Sequence, residues 1–344
     1  MHHLADFLAF GIILAAFKLI FGIIIYLDDS LNSGGRHCMQ DSGRTAPIMA
    51  RSGLSEAAFA WMLISPALLF IGVIVAWPLA ETIRLSFTDA TLGGESYVGL
   101  ANYAALMASP KFYDTVARTF YWMFLSVSLK LIMGLIGATL LNAAIPGKAL
   151  FRILVMPPWV IPVAIGVIGW KWMYNGYFGL ISGLLQEFGL VQDRVALLAS
   201  KTSAFYSAVV TDVWVGTPMV TLFLLAAMQG VSRDLYEAAW VDGAGRWYRF
   251  RRITIPQIMP VIVSMALLSA IWTFNSFEII WILTEGGPRG ATTTLIIDTY
   301  KVAISSQRFG EGAARAVVIV TLLALFSLAY LYFLNRVNRY YGAK

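Results

Sequence analysis

Residues Glu237–Pro256 read EAAWVDGAGRWYRFRRITIP, a polar break between two strongly apolar runs. Asp234–Val241 carries helical spacing, Asp242-Gly243-Ala244 supplies a turn, and Arg246–Ile253 can form a second helix. Ala238, Ala239 and Ala244 remove bulk, so a second surface can approach the backbone closely. Gly243 permits a turn that a residue with a side chain would resist. Trp247, Phe250 and Ile253 fall on one apolar face of the second helix, while Arg246, Arg249, Arg251 and Arg252 offer ion pairs on the other. Such a helix–turn–helix is suited to pass a push from a partner into the segments it joins. A basic loop that merely fixes topology has the same composition, and composition alone leaves these two readings even.

The flanking chain decides what the segment is anchored in. Hydrophobic residues make up 59% of the 344 residues and charged residues 13%, the latter about half the share usual in soluble proteins. Apolar runs lie near Leu4–Leu27, Ala57–Ile83, Phe120–Ala144, Leu150–Tyr174, Ala204–Met228, Ile258–Leu283 and Ala313–Leu334. Each is long enough to cross about 30 Å of hydrocarbon as a helix. The expected fold is all-α: a polytopic membrane bundle of six core helices with an extra helix at the N-terminus. Residues 1–56 then form that extra helix and a linker, and 57–344 the six-helix core with the polar segment 237–256. The alternative is a start of translation near Met49, because MARSGLSEAAFAWMLISPALL reads as an ordinary beginning before a first helix. Residues 1–48 would then carry little function. Leu85–Thr119, rich in turn residues, reads as an external loop with short helices.

The net charge of +6 comes mostly from basic residues in short loops beside the apolar runs, which does not point to nucleic acid. Lys148 and Arg152, the four arginines after Gly245, and Arg336, Arg339 and Lys344 flank the same set of helix ends, which puts the C-terminus in the cytoplasm. Seven helices place the N-terminus outside and six place it inside. Either count leaves Glu237–Pro256 cytoplasmic. The single cysteine, Cys38, excludes an intrachain disulfide and a cysteine metal cluster. Two of the three histidines are His2 and His3, leaving no histidine metal site and no nucleophile–base constellation for catalysis. Pro146-Gly147-Lys148-Ala149 lacks the first glycine and the hydroxyl of a phosphate-binding loop. If ATP is used, another chain binds it.

The spacing Glu-Ala-Ala, three residues, Gly243, nine residues, Ile253-Thr254-Ile255-Pro256 resembles the signature loop of binding-protein-dependent ABC importer permeases. Ile255 stands where that loop usually has Leu. GLANYAALM, GKALFRILVMPPWVIP and TEGGPRGATTT are similar to the branch that imports sugars, polyols and related carbohydrates, although Glu285 stands where Gly or Asp is usual. The resemblance covers nearly everything after Ala57. It implies that Glu237, Ala238, Ala239, Asp242 and Gly243 dock into a cleft on an ATP-hydrolysing subunit. It also implies a second, related permease, two ATPase copies carrying ATP and magnesium, an extracytoplasmic solute-binding protein, and a plasma-membrane location. This chain would need no cofactor and would catalyse no bond chemistry.

Polar groups inside membrane helices are costly and mark functional sites. Asp212 lies in one apolar run, and Trp272, Asn275, Ser276 and Glu278 lie together in the next. Carboxylates and amides suit sugar hydroxyls, and tryptophan suits the C–H faces of the ring. Structural pairing of the acids inside the bundle is the competing reading. TDVWVGTPM and WTFNSF resemble the two sugar-contacting segments of maltose-type permeases. The resemblance thus implies substrate contacts at Asp212, Val215, Gly216, Met219, Trp272, Asn275 and Ser276. Asp212 stands where those proteins carry an uncharged amide, and Ser276 where they carry a second Asn. Glu278 is added from the residues alone. An ion-coupled secondary transporter is the other functional class open to the chain, with Asp212 and Glu278 as the coupling carboxylates.

Overall fold

A computed structural model of the chain describes residues 56–143 and 146–341. The expected N-terminal helix at Leu4–Leu27, Cys38 and the start near Met49 lie outside the described residues. The chain divides into two compact units, the first ending at Phe87 and the second beginning at Thr88. The described part of the first is α1 (Glu56–Ile71), a wider-wound turn Gly72–Ala76, and α2 (Trp77–Leu85). Together Trp61–Leu85 form an apolar helix with no buried residue.

In the second unit two isolated β-bridges, Thr88 with Tyr97 and Thr91 with Gly94, lead into α3 (Ala101–Met107). Helix α4 (Pro110–Asn142) begins ten residues before the apolar run at Phe120. Proline fits at its first position because that N–H has no helical acceptor, and the added turns need no lipid-compatible surface. The chain continues through α5 (Lys148–Val155), α6 (Pro157–Val160), α7 (Val163–Met173) and α8 (Leu180–Glu187) to α9 (Lys201–Gln229). After α10 (Arg233–Val241) and α11 (Arg246–Arg249) come α12 (Ile255–Phe274), α13 (Glu278–Thr284), α14 (Leu295–Tyr300) and α15 (Phe309–Tyr341).

Five of these helical stretches are long and apolar enough to cross a membrane, and a bent pair makes a sixth among the described residues. The bent pair lies within the apolar run Leu150–Tyr174: Ala149–Val160 and Val163–Met173 meet at 95°. Pro162 is the cause. Its ring disfavours the helical region for the preceding residue, and Ile161 is extended, at φ −67° and ψ 136°. The run expected over Ile258–Leu283 is also broken, with α12 ending at Phe274 and a short α13 restarting at Glu278.

Helix α4 is the central element. Trp122 packs with Val209 and Ile280, Met123 with Phe274 and Leu323, and Leu141 with Leu224 and Ile258, in three apolar clusters along its length. Its crossing with α9 is close because Gly134 and Gly137 face Val220 and Thr221, as expected where backbones approach through small residues. Three buried threonines are satisfied inside their own helices: Thr119 donates to Thr115 O at 2.7 Å, Thr211 to Ser207 O at 2.9 Å and Thr221 to Thr217 O at 2.9 Å. This is how hydroxyls become compatible with an apolar surrounding.

Candidate functional sites

The polar segment folds as a capped helix followed by a sharp return. Ser232 caps α10, its hydroxyl accepting from Asp234 N at 3.3 Å. At the other end Asp242 is the last half-helical residue and Gly243 takes a left-handed φ of +76°. Ala244 N donates to Ala239 O at 2.8 Å and Gly243 N to Trp240 O at 3.0 Å. These two bonds are the Schellman pattern, which satisfies helix-end carbonyls by placing a glycine at the left-handed position. The second helix, from Arg246, runs through a wider-wound Phe250–Thr254 turn directly into α12. The return is therefore rigidly continuous with a membrane span. Tyr236 and Thr254 share a hydroxyl–hydroxyl bond of 2.9 Å that ties the two limbs together.

Glu237, Ala238, Asp242 and Gly243 are exposed and Ala239 is half-buried. Trp240, Val241 and Trp247 are also exposed, at 70%, 81% and 71%, a concentration of apolar surface on a polar hairpin. Trp247 stacks on Phe250 with centroids 5.6 Å apart, which accords with the apolar face expected for those residues. A Cβ on Gly243 would meet nothing within 4 Å in this chain. The demand for glycine here comes from φ alone, so free space remains above the turn for another surface.

The second site lies where α4, α9 and α12 meet. Asp212 is 4% exposed on α9, and Lys130 of α4, 5% exposed, places its Nζ 2.7 Å from Asp212 Oδ2. The same Nζ donates to Thr273 Oγ1 of α12 at 2.8 Å. Thr273 O accepts from the indole of buried Trp122 at 3.0 Å. Taking one partner from such a buried pair costs about 3–5 kcal/mol, because the other charge is left uncompensated.

Just beyond Thr273 the helix ends. Asn275 is its C-cap, with Nδ2 donating to Ile271 O at 2.8 Å, and Ser276 N bonds back to Thr273 O at 3.1 Å. Val215, Gly216, Trp272, Asn275 and Ser276 are half-buried and Met219 is buried. Lys130 thus joins the Asp212 segment to the Asn275 segment through Thr273. Glu278 is exposed in the first turn of α13, apart from this bonded group. The sequence reading named Asp212 but missed Lys130, Thr273 and Trp122. The available signal was Lys130 itself, the one charged residue in the Phe120–Ala144 run, since intramembrane charges pair with one another.

The family described as binding-protein-dependent transport system inner membrane component matches residues 98–339, well over half of the chain. The trehalose/maltose transport system permease protein MalF of Thermococcus litoralis is 36% identical over 278 residues, covering 80% of this chain and 93% of that protein. The sulfoquinovosyl glycerol transport system permease protein SmoG of Agrobacterium fabrum is 30% identical, covering 81% and 91%. A bacterial ABC transporter involved in the import of the acidic polysaccharide alginate has the same fold, with a TM-score of 0.72 at 20% identity over 81% of this chain and 95% of that one. This chain belongs to the family of binding-protein-dependent transport system inner membrane components.

Proposed function

We propose that this chain is the membrane-spanning subunit of an ATP-driven importer that moves a carbohydrate delivered by an extracytoplasmic binding protein. The observation that carries this is the exposed, glycine-turned hairpin at Glu237–Pro256, whose second limb continues as a membrane span. A partner that closes on the hairpin therefore moves the span with little slack. Glu237, Ala238, Ala239, Asp242 and Gly243 form the contact with an ATPase subunit. Two ATPases hold ATP and magnesium, and a second, related permease completes the pathway. The C-terminus is cytoplasmic.

In this reading ATP closes the ATPase dimer, the docked hairpins approach each other, and the core opens outward to take the sugar; hydrolysis reverses the change. Half-buried Val215, Trp272, Asn275 and Ser276, with buried Met219, give this chain's share of the sugar contacts. Carbohydrate is preferred as cargo because two relatives that the chain covers almost fully are named for saccharide or glycoside transport. Amide and hydroxyl groups at a helix end, beside a tryptophan, suit that chemistry.

The test is uptake of radiolabelled maltose and trehalose by cells carrying the whole importer. Uptake lost on ATP depletion and retained with an uncoupler supports the reading; loss with the uncoupler alone would favour ion coupling. Asn275→Ala should weaken uptake about tenfold, the effect of losing one or two hydrogen bonds to a bound hydroxyl, while ATPase assembly is retained.

A further inference from the structure

Lys130 has no role in the reading above, yet it is the group on which the second site converges. Its ammonium reaches two helices at once, 2.7 Å from Asp212 Oδ2 and 2.8 Å from Thr273 Oγ1. Its stem lies across Gly216. A Cβ added there would stand 2.7 Å from Lys130 Cε, 2.8 Å from Cδ and 3.1 Å from Nζ. Real Cβ atoms do not approach side chains so closely, so any larger residue at 216 must push the lysine aside. The glycine thus has a reason within this chain: it is the groove in which the lysine lies.

We infer that Lys130 is a positioning residue of the substrate site, acting through Asp212 and Thr273, and that Gly216 serves the site by admitting the Lys130 stem rather than by touching sugar. The inference rests on the proposed transport function. Asp212 is enclosed and engaged by a cation, so it is part of the frame. Thr273 is held by Lys130 through its hydroxyl and by Trp122 through its carbonyl. Asn275 and Ser276 follow directly and are bonded back to Ile271 and Thr273. Fixing Thr273 therefore fixes where the amide and hydroxyl at the helix end point. The pair also carries no net charge, so three helices are cross-linked without a lone charge at the site.

The experiment measures ATP hydrolysed per maltose or trehalose imported, in proteoliposomes holding the complete importer. Taken on purified, fully assembled complex, this ratio does not depend on how much of a variant folds. Gly216→Ala is made in two backgrounds, the wild type and the neutral pair Lys130→Ala with Asp212→Asn. Removing both partners leaves no unpaired buried charge, so the neutral pair is expected to assemble. In the wild-type background Gly216→Ala should raise the ratio about tenfold, the scale of an overpacked contact that must shift a neighbour. In the neutral background it should change the ratio less than about twofold, because the stem it displaces is gone.

An equal effect in both backgrounds would overturn the inference, since Gly216 would then act on the sugar itself. An unchanged ratio for Gly216→Ala in the wild-type background would overturn it too. So would a neutral pair that does not assemble, because Lys130 would have a partner that the ion pair does not describe. If the wild-type importer takes up neither these sugars nor any other saccharide, the transport reading fails instead, and that result is distinct from all of these.

Discussion

Replacing Gly243 separates what this chain needs from what its partner needs. At φ +76° an L-residue pays the left-handed penalty, about 1–2 kcal/mol. A Cβ there meets nothing within 4 Å, so side-chain size adds no further cost in the chain alone. Gly243→Ala and Gly243→Leu should therefore lower the thermal stability of the isolated permease by the same amount, no more than about 2 kcal/mol. In the assembled importer the two should part company. Alanine weakens the turn by a factor of about 5–30 but keeps a low profile, and leaves measurable import. If the turn is the proposed ATPase contact, leucine fills the space the partner would occupy and should abolish both import and sugar-dependent ATP hydrolysis. The assays are a thermal denaturation series in detergent and coupled ATPase measurements in proteoliposomes. Leucine importing as well as alanine would refute the close-approach argument; leucine unfolding the isolated chain far more than alanine would refute the exposure.

Two other substitutions test the frame. Gly134→Ala puts a Cβ 2.5 Å from Val220 Cγ1 and 2.9 Å from its Cβ, so overpacking should cost about 1–3 kcal/mol; adding Val220→Ala should recover most of the lost denaturation midpoint. Asp89 accepts from Ser96 Oγ at 2.7 Å and Ser96 N at 2.5 Å, and these bonds, the hydroxyl's first, hold its carboxyl below the usual 3.8. With a depressed folded value, the support this turn gives is present above the ordinary carboxylate pKa and lost as pH falls through the folded one. Carbon NMR titration of the labelled carboxyl should show the lowered midpoint, and Ser96→Ala should return it toward the ordinary value.

How far the sequence reveals this molecule depends on whether a feature is local. The hairpin was legible because a capped helix, a glycine turn and a second helix are written within one short stretch, and Gly243 at the left-handed position needs no distant residue to explain it. Positions of the apolar runs were legible for the same reason. The bend at Pro162 was not, although the proline was in view, because hydropathy measures length and not direction. Helix α4 started early because Pro110 sets its beginning, whereas hydropathy registers only the lipid-facing part. The Lys130–Asp212 pair depended on a contact between separate helices. From its place in an apolar run Asp212 supports both a sugar contact and a structural pairing, and only the fold supplies Lys130 of α4 as its partner. Gly216 lies in a segment similar to sugar-contacting ones, and only the fold shows the Lys130 stem lying against it.

The most direct test of the central claim is ATP hydrolysis by the complete importer in proteoliposomes, measured with and without the binding protein loaded with its sugar. The account predicts that the loaded protein stimulates hydrolysis and import together, and that Gly243→Leu removes the stimulation while the complex still assembles. Full stimulation of both in the Gly243→Leu importer would contradict it.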